Sequence, residues 1–188
     1  METIPDFNYT GSFKLNLETL SGKGLKALNV LLNNLKHPNL TTKTKCHLVD
    51  ACVGSIRSYG CEVWGFGNNK EIERFHPKFC KIVLNVKSST SNAGVYGEFG
   101  RHPLYINRFV RIIKYWGKIV QSDNVLIKFL YNDMSIACNN GVKNWSYNVK
   151  QLLDNYGFSH VFRDPHLKNH STFYLEFKSR VIVTFQQQ

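Results

Sequence analysis

One segment constrains the fold of this chain more than any other: residues 103–120, which read PLYINRFVRIIKYWGKIV. Pro103 suits the first position of a helix, because its missing N–H would have no partner there. At about 100° per residue the apolar side chains fall on one side and the cations roughly opposite. The apolar positions are Ile106, Phe109, Val110, Ile113, Trp116 and Val120, and the cations are Arg108, Arg111, Lys114 and Lys118. The segment predicts an amphipathic helix with a basic outer side.

Most of the remaining chain repeats this three-to-four-residue spacing of apolar side chains. The pattern predicts helices at about 21–35, 42–60, 68–83, 123–138, 145–156 and 171–186, with a short helical turn at 91–98. Pro77 should kink the third of these helices or split it in two. Residues 1–19 look irregular or extended, and Val181-Ile182-Val183 would also suit a strand. The predicted fold class is mainly α: an irregular multi-helix bundle of about seven or eight helices, with a short extended N-terminal segment.

The helix expected at 123–138 has Leu126, Phe129, Leu130 and Ala137 as its apolar positions, with Asp123 as its cap. A second apolar cluster lies around Trp64, which three glycines flank (Gly60, Gly65 and Gly67). Tyr59 and Trp64 could stack on nucleic-acid bases. A core anchor at a tight corner between helices is the simpler interpretation, since glycines supply unusual dihedral angles. The predicted structural core contains Tyr59, Trp64, Phe75, Phe79, Phe109, Ile113 and Trp116.

Composition indicates a folded protein, because 43% of the 188 residues are hydrophobic and 13% are aromatic. No stretch approaches the ~18 consecutive apolar residues of a membrane span. The N-terminal residues METIPD have neither the basic region nor the apolar run of a signal peptide. We therefore expect an intracellular protein, of the nucleus or the cytoplasm, with no membrane partner.

The formal net charge of +11, with a pI near 9.5, favours anionic partners and nucleic acid first. Residues 99–122 contain five cations and no carboxylate. These cations, Arg101, Arg108, Arg111, Lys114 and Lys118, are candidate phosphate contacts. Tyr105 lies closer to the basic side and could touch a sugar or a phosphate. The alternative is an ordinary solvated face of an amphipathic helix.

The five cysteines are odd in number, widely spaced and without a C-x-x-C pair, so a disulfide framework is improbable. A zinc site could draw on Cys46, Cys61, Cys80 and either His47 or His76. Zinc ligands normally come as two close-spaced pairs, and buried thiols are therefore the better interpretation. Cys52 and Cys80 fall on apolar faces, and His76 is expected to be a partly exposed structural histidine. His166 and His170 are four residues apart, which is the spacing of two metal ligands on one helix, but they lie in an expected loop. We predict no metal site, no cofactor and no catalytic residue.

Residues 59–104 contain a series of short motifs in a fixed order. It runs through Tyr59-Gly60, Glu62-Val63-Trp64-Gly65, Ile72-Glu73, Phe79-Cys80-Lys81, Asn92-Ala93, Val95-Tyr96-Gly97-Glu98 and Arg101-His102-Pro103-Leu104. In this order the motifs resemble the stretch that follows the polymerase palm in non-LTR (LINE-type) retrotransposon reverse transcriptases of invertebrate type. The resemblance extends from about Phe7 to the C-terminus.

The resemblance implies three regions: a palm-exit remnant at 1–20, a thumb-like helical domain at 21–120 that includes the basic helix, and a truncated helical extension at 121–188. Reverse transcriptases hold two metal ions on palm carboxylates, one pair of which lies in a Tyr/Phe-x-Asp-Asp turn. This sequence contains no Asp-Asp. The palm and the endonuclease are both absent, so we expect no polymerase activity.

We therefore expect a non-catalytic fragment that grips the backbone of a template–primer duplex or an RNA–DNA hybrid. A full-length reverse transcriptase is a possible further partner. The alternatives are a helical protein-interaction module and a translated relic without function.

Overall fold

The structure is a computed structural model, and it describes residues 13–35, 39–67, 69–164 and 170–187. In these ranges the chain is mainly helical and contains no strand, and eight helices have seven residues or more. The helices are α1 (Lys14–Asn34), α2 (Thr42–Val49), α3 (Ser55–Arg57), α4 (Cys61–Trp64), α5 (Lys70–Glu73), α6 (Phe75–Leu84), α7 (Asn92–Phe99), α8 (Leu104–Val120), α9 (Val125–Asn139), α10 (Trp145–Asn155), α11 (Ser159–Arg163) and α12 (His170–Gln186), and a π-helical turn, Asp50–Gly54, joins α2 to α3. The mainly α prediction is confirmed.

The chain divides into two compact units, Met1–Tyr59 with Asn68–Leu104 and Gly60–Gly67 with Tyr105–Gln188. These units differ from the regions expected at 21–120 and 121–188. The basic helix α8 groups with the C-terminal helices, because its apolar side packs on theirs.

The core of the first unit is built from α1, α2, the π-helical turn, α6 and α7. It contains Leu28, Leu35, Cys46, Val49, Val53, Phe75, Phe79, Cys80 and Val95. Helix α1 begins at Lys14, so the extended chain expected for residues 14–19 is wrong. The apolar spacing that predicts the helix continues upstream to Leu20, which is buried. The rest of the expected extended segment, residues 1–12, lies outside the described residues.

Pro77 affects its helix as the sequence predicts, but at a displaced position. The helix is split at Arg74, between α5 and α6. Pro77 then lies in the first turn of α6, where a backbone N–H has no intrahelical acceptor to lose. The break comes before the proline because this arrangement costs no hydrogen bond.

The core of the second unit is formed by α8, α10, α11 and α12. It contains Ile106, Phe109, Ile112, Ile113, Trp116, Val149, Leu152, Leu153, Val161, Phe173, Phe177 and Val181. The segment from 170 to 186 is a helix and not a strand, and Phe173, Phe177 and Val181 are buried at four-residue intervals. No helix in the described ranges is long and apolar enough to cross a membrane.

Helix α9 departs from the sequence prediction in two ways. Its cap is Asn124, whose Oδ1 accepts from the N–H groups of Leu126 and Ile127 at 2.9 and 3.2 Å; Asp123 does not fill this role. The expected apolar side of the helix is also not covered by any element in the described ranges: Leu126, Phe129 and Leu130 are all exposed. An amphipathic pattern identifies the apolar side of a helix, but it does not establish that another element covers that side.

Candidate nucleic-acid interface

Arg101, in the first unit, is held in an ion pair. Its Nη1 and Nη2 donate to the two carboxylate oxygens of Asp50 at 2.9 and 2.5 Å. Burial acts to lower the pKa of Arg101, but the hydrogen bonds and charge of Asp50 outweigh it, and the pKa is raised. The guanidinium fork that would bind a phosphate is thus already engaged by a carboxylate.

Arg108 is buried, so its predicted position on the outer side of α8 is wrong. Only 2% of the residue is exposed. Its Nη2 lies 3.5 Å from the carbonyl oxygen of Gly67, which is a long hydrogen bond. Ile112, one turn further along α8, is fully buried although it lies outside the predicted stripe. The buried sector of the helix is therefore wider than its apolar stripe, and it encloses Arg108.

Arg111 is exposed but already paired. Its Nε and Nη2 donate to Oε1 of Glu62 at 2.9 and 2.6 Å. The side chain of Arg111 is 44% exposed and that of Glu62 is 23% exposed. A phosphate could reach this guanidinium only in competition with Glu62.

Lys114 and Lys118 are exposed one turn apart on α8. Within the described residues neither ammonium group has a carboxylate at ion-pair distance. Lys114 Nζ lies 5.8 Å from the ring centroid of Tyr174 on α12, and Nε2 of Gln121 lies 2.8 Å from Nε2 of His170. We call these five residues the lysine face.

Tyr105 packs among aromatic rings. Its ring centroid lies 5.3 Å from that of Phe109 and 6.5 Å from that of Phe185, and the residue is half-buried. These contacts place it in the second unit's apolar cluster.

Six of the seven predicted core residues are buried; Tyr59 is the exception. Trp64, Phe75, Phe79, Phe109, Ile113 and Trp116 are each 6% exposed or less. Trp116 also donates from Nε1 to the hydroxyl oxygen of Tyr131 at 2.9 Å. Tyr59 is 56% exposed, which corrects the prediction. It precedes Gly60, whose φ of 62° turns the chain sharply after α3.

The glycines around Trp64 have two different roles. Gly60 and Gly67 have positive φ, as the sequence suggests. Gly65 has an ordinary φ of −74°, but a side chain there would collide with the carbonyl oxygen of Cys61. In the same corner the indole N–H of Trp145 donates to the carbonyl oxygen of Glu62 at 2.9 Å. The segment is a packed corner of the second unit.

Four of the five cysteines are buried thiols, namely Cys46, Cys61, Cys80 and Cys138. Cys52 is exposed, which is contrary to the apolar position predicted for it. Burial raises the pKa of Cys61 and of Cys80 to about 11, so both are thiols at neutral pH. No group of three His, Cys, Asp or Glu in the described ranges is placed to hold a metal ion; His166 lies outside those ranges.

His76 is buried, with only 3% exposed, and not partly exposed as predicted. Its ring stacks on Tyr96 with centroids 5.3 Å apart. Burial, together with the positive charges of Arg101 and Arg57, lowers its pKa to about 4, while Asp50 acts in the opposite direction. It is a neutral core histidine at pH 7.

The sequence pattern does not reveal that α12 contributes to the surface beside Lys114. His170 and Tyr174 are four residues apart on α12, and Tyr174 directly follows the buried Phe173 and precedes the buried Phe177 by three residues. A helical wheel of 170–186 would have placed both residues beside the buried stripe, but not next to α8.

No family model, no curated protein and no solved structure matches this chain.

Proposed function

We propose that this chain is a non-catalytic nucleic-acid-binding protein that contacts the sugar–phosphate backbone of a duplex or an RNA–DNA hybrid. We further propose that it corresponds to the thumb- and connection-like part of a non-LTR retrotransposon reverse transcriptase, on the resemblance described above. Such a protein acts inside the cell, in the nucleus or the cytoplasm.

The observation that carries the proposal is the lysine face. Lys114 and Lys118 are exposed and have no carboxylate partner within the described residues. Their four-residue separation corresponds to about 6 Å along the helix, and lysine side chains are long enough to reach successive phosphates. The Gln121 amide nitrogen contacts His170, and its second N–H is a polar donor of the kind that contacts phosphate and sugar oxygens.

The surrounding charge supports the same partner. The net charge is +11, and Lys and Arg outnumber Asp and Glu in both compact units. Phosphate binding by lysines releases condensed counterions, so the affinity should fall steeply with salt. Contacts of this kind do not read bases, and we expect little dependence on sequence.

The experiment compares the chain with its Lys114→Gln/Lys118→Gln variant by fluorescence anisotropy on a DNA duplex and an RNA–DNA hybrid of equal sequence. The salt concentration is varied from 50 to 200 mM. Each lost phosphate contact lowers the slope of log affinity against log salt by about 0.9 on B-DNA, so the variant should lose nearly two units of slope. We expect about a tenfold loss of affinity near 0.1 M salt.

The matched control is Lys143→Gln/Arg163→Gln, which removes two exposed cations elsewhere in the second unit. It is expected to change the affinity less than threefold. Equal weakening by both double variants, or wild-type binding that is indifferent to salt, contradicts the proposal. Primer extension by the purified chain with Mg²⁺ and deoxynucleotides would overturn its non-catalytic part.

A further inference from the structure

Helix α9 presents an apolar surface that no described residue covers and that the nucleic-acid proposal does not use. Six large apolar side chains of α9 are exposed, and besides Ile127 these are Val125 by 81%, Phe129 by 67%, Leu126 by 64%, Ile136 by 61% and Leu130 by 51%, which share one side of the helix. Over 125–136 they extend about 18 Å along one side of the helix. Contiguous exposed apolar surface of this kind marks an interaction site.

The opposite side of α9 is anchored to its own unit. Tyr131 accepts a hydrogen bond from Trp116, Cys138 is buried, and Asn144 Nδ2 donates to the carbonyl oxygen of Met134 at 2.6 Å. The helix is thus fixed in orientation, and its apolar side chains point away from these contacts.

One carboxylate lies among the exposed apolar side chains. Asp133 follows Leu126 by seven residues and Phe129 by four, and it precedes Ile136 by three, which places all four on one side of the helix. Asp133 is exposed, and within the described residues it has no ion-pair partner. We call Val125, Leu126, Phe129, Leu130, Asp133 and Ile136 the α9 face.

We propose that the α9 face docks an amphipathic helix of a protein partner whose own apolar side carries one Lys or Arg opposite Asp133. Amphipathic helices are recognised through anchors at i, i+3, i+4 and i+7. On α9 the first three of these positions are Leu126, Phe129 and Leu130, and the fourth is Asp133. A carboxylate that becomes buried in such an interface requires a cation, because a buried charge without a partner is strongly unfavourable.

The same carboxylate disfavours two other occupants. A second copy of α9 has no cation on this face, so pairing two copies would bury Asp133 against apolar side chains or against its counterpart. A lipid surface would receive Val125, Leu126 and Phe129, but it would also draw Asp133 toward the acyl chains, where a charged group is expensive.

The experiment selects binders from a display library of helical peptides. Four positions on the apolar side of each peptide are varied among Leu, Ile, Phe, Met, Lys, Arg and Glu. Peptides that also bind the Phe129→Asp variant of the protein are removed by counter-selection. We expect enriched peptides to carry Lys or Arg at a central stripe position. In anisotropy measurements, changing that cation to Glu should weaken binding at least about tenfold. Asp133→Lys should reverse the preference.

Two control variants make the result specific. Asp123→Lys makes the same charge change at a fully exposed position next to the helix, and it should leave the preference for a central cation unchanged. Leu175→Ser removes a side chain of α12 that is exposed by 67%, as Phe129 is, and it should retain peptide binding. Circular dichroism checks that each variant keeps its helical content.

Four results would overturn the proposal. They are the absence of enrichment over the counter-selection, enriched peptides without a central cation, a cation preference that Asp133→Lys does not alter, and binding of another occupant. The last is detected as dimerisation in analytical ultracentrifugation, or as flotation with phosphatidylcholine–phosphatidylserine vesicles, when Phe129→Asp abolishes it.

Discussion

Arg111 directs two N–H donors at a single carboxylate oxygen of Glu62, with Nε at 2.9 Å and Nη2 at 2.6 Å. The two residues are 49 positions apart in the sequence. Arginine uses the same donors for carboxylates and phosphates, so Glu62 competes with any phosphate that approaches Arg111. The basic side of α8 is consequently less basic than its composition suggests.

Removal of this competition is the first prediction. Glu62→Gln should raise the affinity for duplex about threefold near 0.1 M salt and steepen the salt dependence by just under one unit, because Arg111 becomes available as one more phosphate contact. The free energy of unfolding should fall by less than about 1 kcal/mol, since the pair is partly exposed. Anisotropy and urea denaturation measure the two effects.

The control for this variant is Glu71→Gln, which releases Arg74 from an exposed pair in the first unit. Both variants change the net charge equally. If they raise the affinity equally, bulk charge and not the neighbourhood of Arg111 determines binding.

Arg108 should act as a structural residue. Only 2% of Arg108 is exposed. Arg108→Glu therefore places a carboxylate in a buried site that holds a guanidinium, and we expect the free energy of unfolding to fall by about 3 kcal/mol or more. Arg108→Met keeps most of the apolar stem and should cost less. Lys114→Glu, at an exposed position on the same helix, should change stability by less than about 0.5 kcal/mol. Similar costs for Arg108→Glu and Lys114→Glu in urea denaturation would contradict the burial of Arg108.

The predictable part of the fold follows from local spacing. Ile106, Phe109, Ile113 and Trp116 recur at helical intervals in α8, and Phe173, Phe177 and Val181 do so in α12. All seven are buried. The spacing of apolar residues is a property of a single helix, so it can be recognised in the sequence without knowing which other helices pack against it.

The unpredictable part depends on what each helix meets. Arg108 is enclosed because the buried sector of α8 is wider than its apolar stripe, whereas α9 has an apolar stripe that nothing described in the chain covers. Arg111 loses its availability to Glu62, which no local pattern could indicate. The candidate interface therefore contracts from the five predicted cations to Lys114 and Lys118, with Gln121, His170 and Tyr174 added by packing.

Acid should destabilise the chain through His76. The pKa of His76 is about 4 in the folded chain and about 6.5 in an unfolded one. As the pH falls below about 6.5 the unfolded chain binds the proton first, so stability is full above this pH and is lost progressively toward pH 4. The loss is roughly 3 kcal/mol at most. Urea denaturation at intervals between pH 7.5 and 4.5 measures it.

His76→Phe tests this assignment, because it keeps a ring against Tyr96 and removes the titration. The part of the stability loss that belongs to His76 should disappear in this variant. A matched His160→Phe variant, at an exposed position, should retain it. An unchanged pH profile in His76→Phe would show that other groups cause the acid sensitivity.

The close approach of α8 to α12 at Gly117 gives the last prediction. A methyl group at this position would collide with the hydroxyl oxygen of Tyr174, while the ring carbon Cζ would lie at 3.4 Å. Gly117→Ala should therefore lower the free energy of unfolding by about 1–3 kcal/mol, despite a gain in helix propensity of about 1 kcal/mol. In a Tyr174→Phe background the collision is absent, and the same substitution should be neutral or stabilising. Urea denaturation of the four proteins in this double-mutant cycle measures the coupling, and an equal cost of Gly117→Ala in both backgrounds would rule out the predicted contact.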